Sequence, residues 1–250
     1  MNTDLVAQRF AQAQSSYEQQ AIAQRRVALE LIQRMQLHVP PHLQRILEIG
    51  CGSGLFTRQL MQHYSFDQLF LNDLYPKVKQ HFDEDARIYW GIGNIETLPL
   101  PQSLDLVVSC SALQWVQQLE ALFLKIHQAL NPSGWLCFAS YAHDNLKEIK
   151  ALTGQGLDYL SLSQMVELLE SCGYEVLIQE EQHLILEFEH PRDVLKHIKA
   201  TGVQATAEGF RWTKSSLQQF YKQYQQFQLP GSQQYPLTYH PIYLIARKRP

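Results

Sequence analysis

The chain has 250 residues, a formal net charge of -3 and 45% hydrophobic residues, enough to bury about three quarters of its unfolded surface in one large α/β domain or two small ones. The slightly acidic balance argues against a nucleic-acid binder, and no apolar run approaches the roughly 18 residues of a membrane span. Met1-Asn2-Thr3-Asp4 lacks the basic region and apolar run of a signal peptide, so a cytoplasmic protein with no membrane attachment is expected. The first elements fall over 4–37, where Leu5, Phe10, Ile22, Val27 and Leu31 recur at helical spacing among many Gln, until Pro40-Pro41 stops the pattern. Strands are expected at 45–50, 68–73, 87–91, 104–110 and 134–141, with helices near 54–63, 77–84 and 117–130. Such alternation implies parallel strands, right-handed crossovers and helices on both faces.

Leu106-Val107-Val108 and Trp135-Leu136-Cys137-Phe138 are apolar throughout, as in strands covered on both sides. Asn131-Pro132-Ser133-Gly134 reads as a turn, and Ser161 with Gln164 as the capping box of a helix ending near Gly173. Beyond it, 176–189 is expected as one long or bent strand, 192–201 and 213–227 as helices, and 242–247 as the last strand. Cys51, Cys110, Cys137 and Cys172 are too widely spaced for a C-x-x-C pair and read as reduced, mostly buried thiols. The histidines show no H-E-x-x-H or similar spacing, so no metal site is inferred.

The most informative stretch is 45–54, where an apolar strand behind Glu48 runs into Gly50, Gly52 and Gly54 and then a helix. Alternating glycines let the backbone turn sharply and approach a ligand, which then sits at a helix N-terminus. A glycine-rich strand–helix turn alone also serves dinucleotide dehydrogenases, but their G-x-G-x-x-G would need a glycine where Leu55 stands. The next strand ends in Asp73, about 20 residues on, where a carboxylate can accept hydrogen bonds from ribose hydroxyls. Gly93-Asn94-Ile95-Glu96-Thr97-Leu98-Pro99 follows the third strand.

Together these resemble the S-adenosylmethionine (SAM) site of class I methyltransferases, a Rossmann-like sheet of about seven mostly parallel strands with an antiparallel last strand. The resemblance implies that Glu48, Gly50, Gly52 and Gly54 hold the amino-acid end, that Asp73 with Leu74 meets the ribose, that Asn94 and Ile95 lie by the adenine, and that Ser109 joins the site. Family members usually carry Asp at the Asn94 position; Asn keeps an acceptor and loses the charge. More narrowly, Ser15-Ser16-Tyr17-Glu18, Ser109 to Trp115, Lys199-Ala200-Thr201-Gly202-Val203 and Tyr235-Pro236-Leu237-Thr238-Tyr239-His240 look like the malonyl-acyl-carrier-protein O-methyltransferases of biotin synthesis, over nearly the whole chain. That implies one methyltransferase domain over 1–250, with N-terminal helices at 1–44, a core at 45–189, a helical lid at 190–234 and a closing strand at 235–250. It also implies SAM as cofactor and malonyl on an acyl carrier protein, or malonyl-CoA, as acceptor.

Tyr17, Gln114, Trp115, Lys199, Arg211 and Tyr239 are the candidate catalytic residues. Lys199 is the first choice to meet the substrate carboxylate and Arg211, whose fork suits a carboxylate best, the second. Each has a plainer reading: a solvated helix face for the cations, a helix–core contact for Tyr17, a sheet-edge plug for Trp115. From 190 to 222 the sequence has six cations against two anions, a basic patch suited to an acidic carrier protein. A monomer suffices at this length. Two other functions fit the same loop: SAM-dependent methylation of another small acid or a quinone precursor, and non-catalytic SAM binding.

Overall fold

The computed structural model describes residues 20–201 and 213–249. Its first helix, α1 (Ile22–Met35), buries Ala23, Val27, Ala28, Leu31 and Met35, a stripe at helical spacing. The sheet is then laid down by β1 (His42–Ile49), α2 (Leu55–His63), β2 (Ser65–Asp73), a 3-10 turn (Pro76–His81), β3 (Ile88–Ile92), β4 (Leu104–Cys110), a second 3-10 turn (Leu113–Trp115), α3 (Leu119–Ala129) and β5 (Leu130–Tyr141). After these come α4 (Lys147–Thr153), α5 (Leu162–Ser171), β6 (Tyr174–Glu181), β7 (Leu184–Phe188), α6 (Pro191–Ala200), α7 (Lys214–Tyr224), a third 3-10 turn (Gln225–Phe227), β8 (Tyr235–Tyr239) and β9 (Pro241–Lys248).

Seven strands form one sheet in the order β3-β2-β1-β4-β5-β9-β6, parallel from β3 to β5, with β9 antiparallel to both its neighbours. This is the class I methyltransferase sheet expected from the sequence. Residues of α1 and α2 join the core on one face, and those of α3 and α5 the core on the other. Strand order reverses at β1, which has β2 on one side and β4 on the other. At such a switch point the loops leaving the strands diverge and open a crevice at their carboxyl ends.

The expected single strand over 176–189 is two strands, and the segment 235–248 likewise. β6 ladders with β9 as far as Glu181 opposite Ile242, next to which β9 begins at Pro241. Proline has no N–H to extend a ladder, so beyond the joint the chain changes partner: β7 pairs with β8, from Leu184 opposite Tyr239 to Phe188 opposite Tyr235. The resulting two-stranded sheet carries its own small core. Leu186, Val194, Ile198, Phe220, Tyr224 and Leu237 pack together there. Ala23 of α1 and Tyr141 of β5 tie this core to the main sheet. Glu148 at the start of α4 fixes β8 from the other side, accepting hydrogen bonds from the N–H (3.0 Å) and hydroxyl (2.5 Å) of Thr238.

The helix expected at 77–84 is only a 3-10 turn. Phe82 leaves it in an extended conformation, and its ring packs so close to Gly54 that a Cβ there would lie 2.9 Å from it. Tertiary packing of one aromatic ring outweighs the local helical pattern.

Candidate functional site

The crevice holds a cavity of about 180 Å³ floored by the glycine loop. Gly50 and Cys51 both donate backbone N–H bonds to the Asn72 carbonyl, at 2.9 and 3.0 Å, which pins the loop to the end of β2. Gly50 has φ +75°, and a Cβ there would meet the Ala112 Cβ at 2.3 Å. Gly52 is different: at φ +52° a Cβ would meet nothing within 4 Å among the described residues beyond its chain neighbours, and the residue lines the cavity. Asp73 completes the floor. One of its oxygens accepts the Gly52 N–H at 2.9 Å and the other the Tyr75 N–H at 3.0 Å. Burial nevertheless raises its pKa against the pull of these backbone donors.

Glu48 lies just behind the loop, 1% exposed, with Oε2 lacking a hydrogen-bond partner. Burial pushes its carboxyl up to about 8, and the nearby negative charge of Asp73 adds to the rise. A carboxyl protonated in the fold but ionised in the unfolded chain means that the native state holds the extra proton, so stability falls as pH rises between about 4.5 and 8. The Glu48→Gln variant is therefore expected to melt above the wild type at pH 8 and to match it at pH 4.5, with a difference of at most about 5 kcal/mol at one pKa unit per roughly 1.4 kcal/mol. Melting curves at both pH values check this, and parallel curves for the two proteins would count against it.

The far wall is the loop after β3. Asn94 Oδ1 accepts the Glu96 N–H at 2.9 Å, and Glu96 Oε1 accepts the Gln118 N–H at 2.9 Å. Lys125 of α3 braces the same turn by donating from Nζ to the carbonyls of Ile95 (3.0 Å), Glu96 (3.2 Å) and Leu98. Its ammonium is thus spent on structure, which a sequence pattern does not show.

Of the expected residues, Gly50, Gly52, Asp73, Leu74, Asn94, Ile95 and Trp115 line the cavity. Gly54 and Glu48 stand behind it. Ser109 does not reach it: fully buried, it donates its hydroxyl to the Ile49 carbonyl at 2.9 Å and so ties β4 to β1. Gln114 turns its amide onto the Ser111 carbonyl at 2.6 Å and leaves Oε1 buried without a partner. Tyr239 is 1% exposed and bonded to His197 at 2.9 Å rather than facing the cavity. Lys199 is exposed near the end of α6. Tyr17 and Arg211 lie outside the described residues, as do Ser15, Ser16, Glu18, Gly202 and Val203.

Gln24 lines the cavity and was not expected. Its signal is a polar residue inside the apolar stripe Ala23, Val27, Ala28, Leu31. Together with Ser53 it presents a buried polar oxygen without a partner beside the loop. An open Cα at Gly52 and unpartnered oxygens around it fit a ligand that is itself polar and closely held. The thiols are inert by comparison: burial pushes Cys110 up to about 12 and Cys51 higher still.

Away from the cavity, and among the described residues, His143, Asp144 and His240 bring ligand-type atoms within 4.8 Å of one another. They are engaged already. The Asp144 N–H donates to His240 Nδ1 at 3.3 Å, and Asp144 Oδ2 meets His183 Nε2 at 2.8 Å.

Residues 47–138 match the family described as a methyltransferase domain. The malonyl-acyl-carrier-protein O-methyltransferase of Acinetobacter baylyi is 49% identical over 99% of this chain and 98% of its own length. The protein of the same name from Bacteroides fragilis is 38% identical over 98% of this chain, which spans half of that longer protein. Among solved structures, an S-adenosylmethionine-dependent methyltransferase from Mesorhizobium loti superposes with a TM-score of 0.54 at 19% identity, covering 86% of this chain and 96% of that one.

Proposed function

Because the chain belongs to the malonyl-acyl-carrier-protein O-methyltransferase family, we propose that it transfers a methyl group from SAM to the free carboxylate of malonyl carried on an acyl carrier protein or coenzyme A. The product is a methyl ester, which masks the charged end so that chain elongation can proceed toward a pimeloyl group in biotin synthesis. The observation that carries this reading is the extent of the relatedness. The methyltransferase match stops at residue 138, whereas the 49% identity runs on through α6, α7 and the β7–β8 sheet, the part that would meet an acceptor.

The residues around the cavity suit the donor. Gly52 leaves room for it, Asp73 keeps lone pairs beyond those given to Gly52 and Tyr75 for a ribose diol, and the braced turn at Asn94–Ile95 would flank the adenine. When bound, SAM supplies an electrophilic methyl group on a sulfonium. The chain need not supply a base, since a malonyl carboxylate with a pKa near roughly 4 is already ionised at neutral pH. Its contribution is position and dryness. Holding the carboxylate in line can supply up to about 7–11 kcal/mol, and a roof over the crevice strips the nucleophile of hydration. Lys199 and Arg211 are the cations offered to that carboxylate.

An acidic carrier would dock on the basic lid. Arg192 and Lys196 are exposed at positions that share one face of α6, and Lys214 and Lys222 are exposed on α7. Reversing charge at Lys214 and Lys222 is expected to lower kcat/KM for malonyl-carrier protein by about tenfold at low salt while leaving malonyl-CoA within about twofold. Steady-state kinetics on both substrates decide it, and equal losses would remove the carrier-docking reading. The proposed function itself is tested by calorimetry with SAM and its demethylated product, S-adenosylhomocysteine. A protein that binds the donor and esterifies a phenol or free acid, but no malonyl thioester, would belong to the other small-molecule methyltransferases.

A further inference from the structure

Most polar groups that touch the glycine loop's cavity come from the loops that follow the strands, whereas Gln24 reaches it from the first turn of α1. It is 6% exposed, yet among the described residues its Oε1 has no hydrogen-bond partner. A buried amide carbonyl left unmatched is expensive unless a ligand donor completes it.

The direction of the amide follows from its neighbours. Tyr239 Oη is 2.9 Å from His197 Nε2, and its pKa, raised by burial, is drawn down by hydrogen bonding with the Thr201 side chain and then with that of Gln24. His197 is 2% exposed, and burial lowers its pKa to about 4, so it is neutral and able to accept the Tyr239 proton. The Tyr239 oxygen then presents lone pairs to the Gln24 NH2. That leaves Gln24 Oε1 as the amide atom without a partner, on a residue that lines the cavity.

Strand order says which end of a ligand it faces. Asp73 and Asn94 follow β2 and β3 on one side of the glycine loop. Gln24 is tied to Tyr239, whose ring lies 6.2 Å from that of Tyr141 at the end of β5, on the opposite side. Tyr141 in turn meets the cavity residue Ser111, hydroxyl to hydroxyl, at 3.0 Å. A nucleoside held at Asp73 and Asn94 therefore points its other end at Gln24. The geometry points to Gln24 Oε1 as the acceptor for the ammonium group of the donor's amino-acid end, with Tyr239 as a positioning residue that sets the amide. This deepens the SAM reading of the site and rests on it. It also gives Tyr239 a role that does not require contact with substrate.

The test compares two ligands that share the nucleoside and differ in the amino-acid end: S-adenosylhomocysteine, which has the ammonium, and 5′-methylthioadenosine, which lacks it. Gln24→Met fills the same space without an acceptor and is expected to weaken S-adenosylhomocysteine by about tenfold or more, the value of a hydrogen bond to a charged group, while 5′-methylthioadenosine changes by less than about twofold. Gln24→Glu, which keeps an acceptor and adds charge, should retain the preference for the ammonium-bearing ligand. Tyr239→Phe should reduce it by a smaller factor than Gln24→Met. The ratio of the two affinities is the readout, measured by calorimetry on the full chain. A ratio unchanged across the variants would overturn the assignment of Gln24; a wild-type protein that binds neither ligand would instead remove the SAM reading beneath it.

Discussion

Gly52→Ala is expected to fold and to lose about 100-fold or more in affinity for S-adenosylhomocysteine. The two effects separate because of where the added methyl goes. Among the described residues, and apart from its two chain neighbours, no atom lies within 4 Å of the Cβ position, so the native packing is undisturbed, and the left-handed φ of +52° costs an alanine only about 1–2 kcal/mol. The methyl enters the space the donor needs, where overlap is not relieved by a side-chain rotation because both partners are held. Gly50→Ala is the control with the opposite signature. Its Cβ would stand 2.3 Å from that of Ala112, so the loop or the start of the second 3-10 turn must move, and the melting temperature should fall together with binding. Thermal melts and titrations on the two variants check this. A Gly52→Ala protein that binds like the wild type would place the donor elsewhere.

Asp73→Asn should be almost as damaging to binding and should lower the melting temperature modestly, because one backbone N–H loses its acceptor. In the native protein each carboxylate oxygen accepts one backbone N–H, from Gly52 or Tyr75, and has capacity left for a ligand hydroxyl. An amide can keep only one of these; its NH2 must face either a backbone N–H or a ribose hydroxyl that has lost its acceptor. The lost backbone bond costs stability, whereas the lost bond to a ligand hydroxyl, worth about 1.5–3 kcal/mol with a charged acceptor, amounts to roughly 10- to 100-fold in affinity. The measurement is a titration with S-adenosylhomocysteine, and an affinity within a factor of a few of the wild type would show that Asp73 serves the loop alone.

Much of this was legible in the sequence wherever the signal was local. The glycine loop, the acid at the end of β2 and the turn at Asn94 are each fixed by a few adjacent residues, and the strands before them by runs of apolar side chains. The capping box at Ser161 and Gln164 is present as read. What could not be read depends on partners far along the chain. The break between β6 and β7 is set by Pro241, some 60 positions on, where the pairing strand begins. Ser109 was expected in the site through the family resemblance, but it lies within β4 and its hydroxyl bonds the Ile49 carbonyl of the neighbouring strand. Nothing in the sequence sets Lys125 apart from other helix cations, and only the folded chain shows three carbonyls around it. Gln24 was hidden among many glutamines, and its single clue was a polar residue on a buried stripe.

The central claim is methyl transfer to a carrier-bound carboxylate, and the direct measurement is mass spectrometry of malonyl-acyl carrier protein after incubation with the protein and SAM. The account predicts a carrier heavier by one methylene unit and an equal amount of S-adenosylhomocysteine, both absent when SAM is omitted. An unchanged malonyl-carrier mass, from protein shown in the same sample to bind S-adenosylhomocysteine, would contradict it.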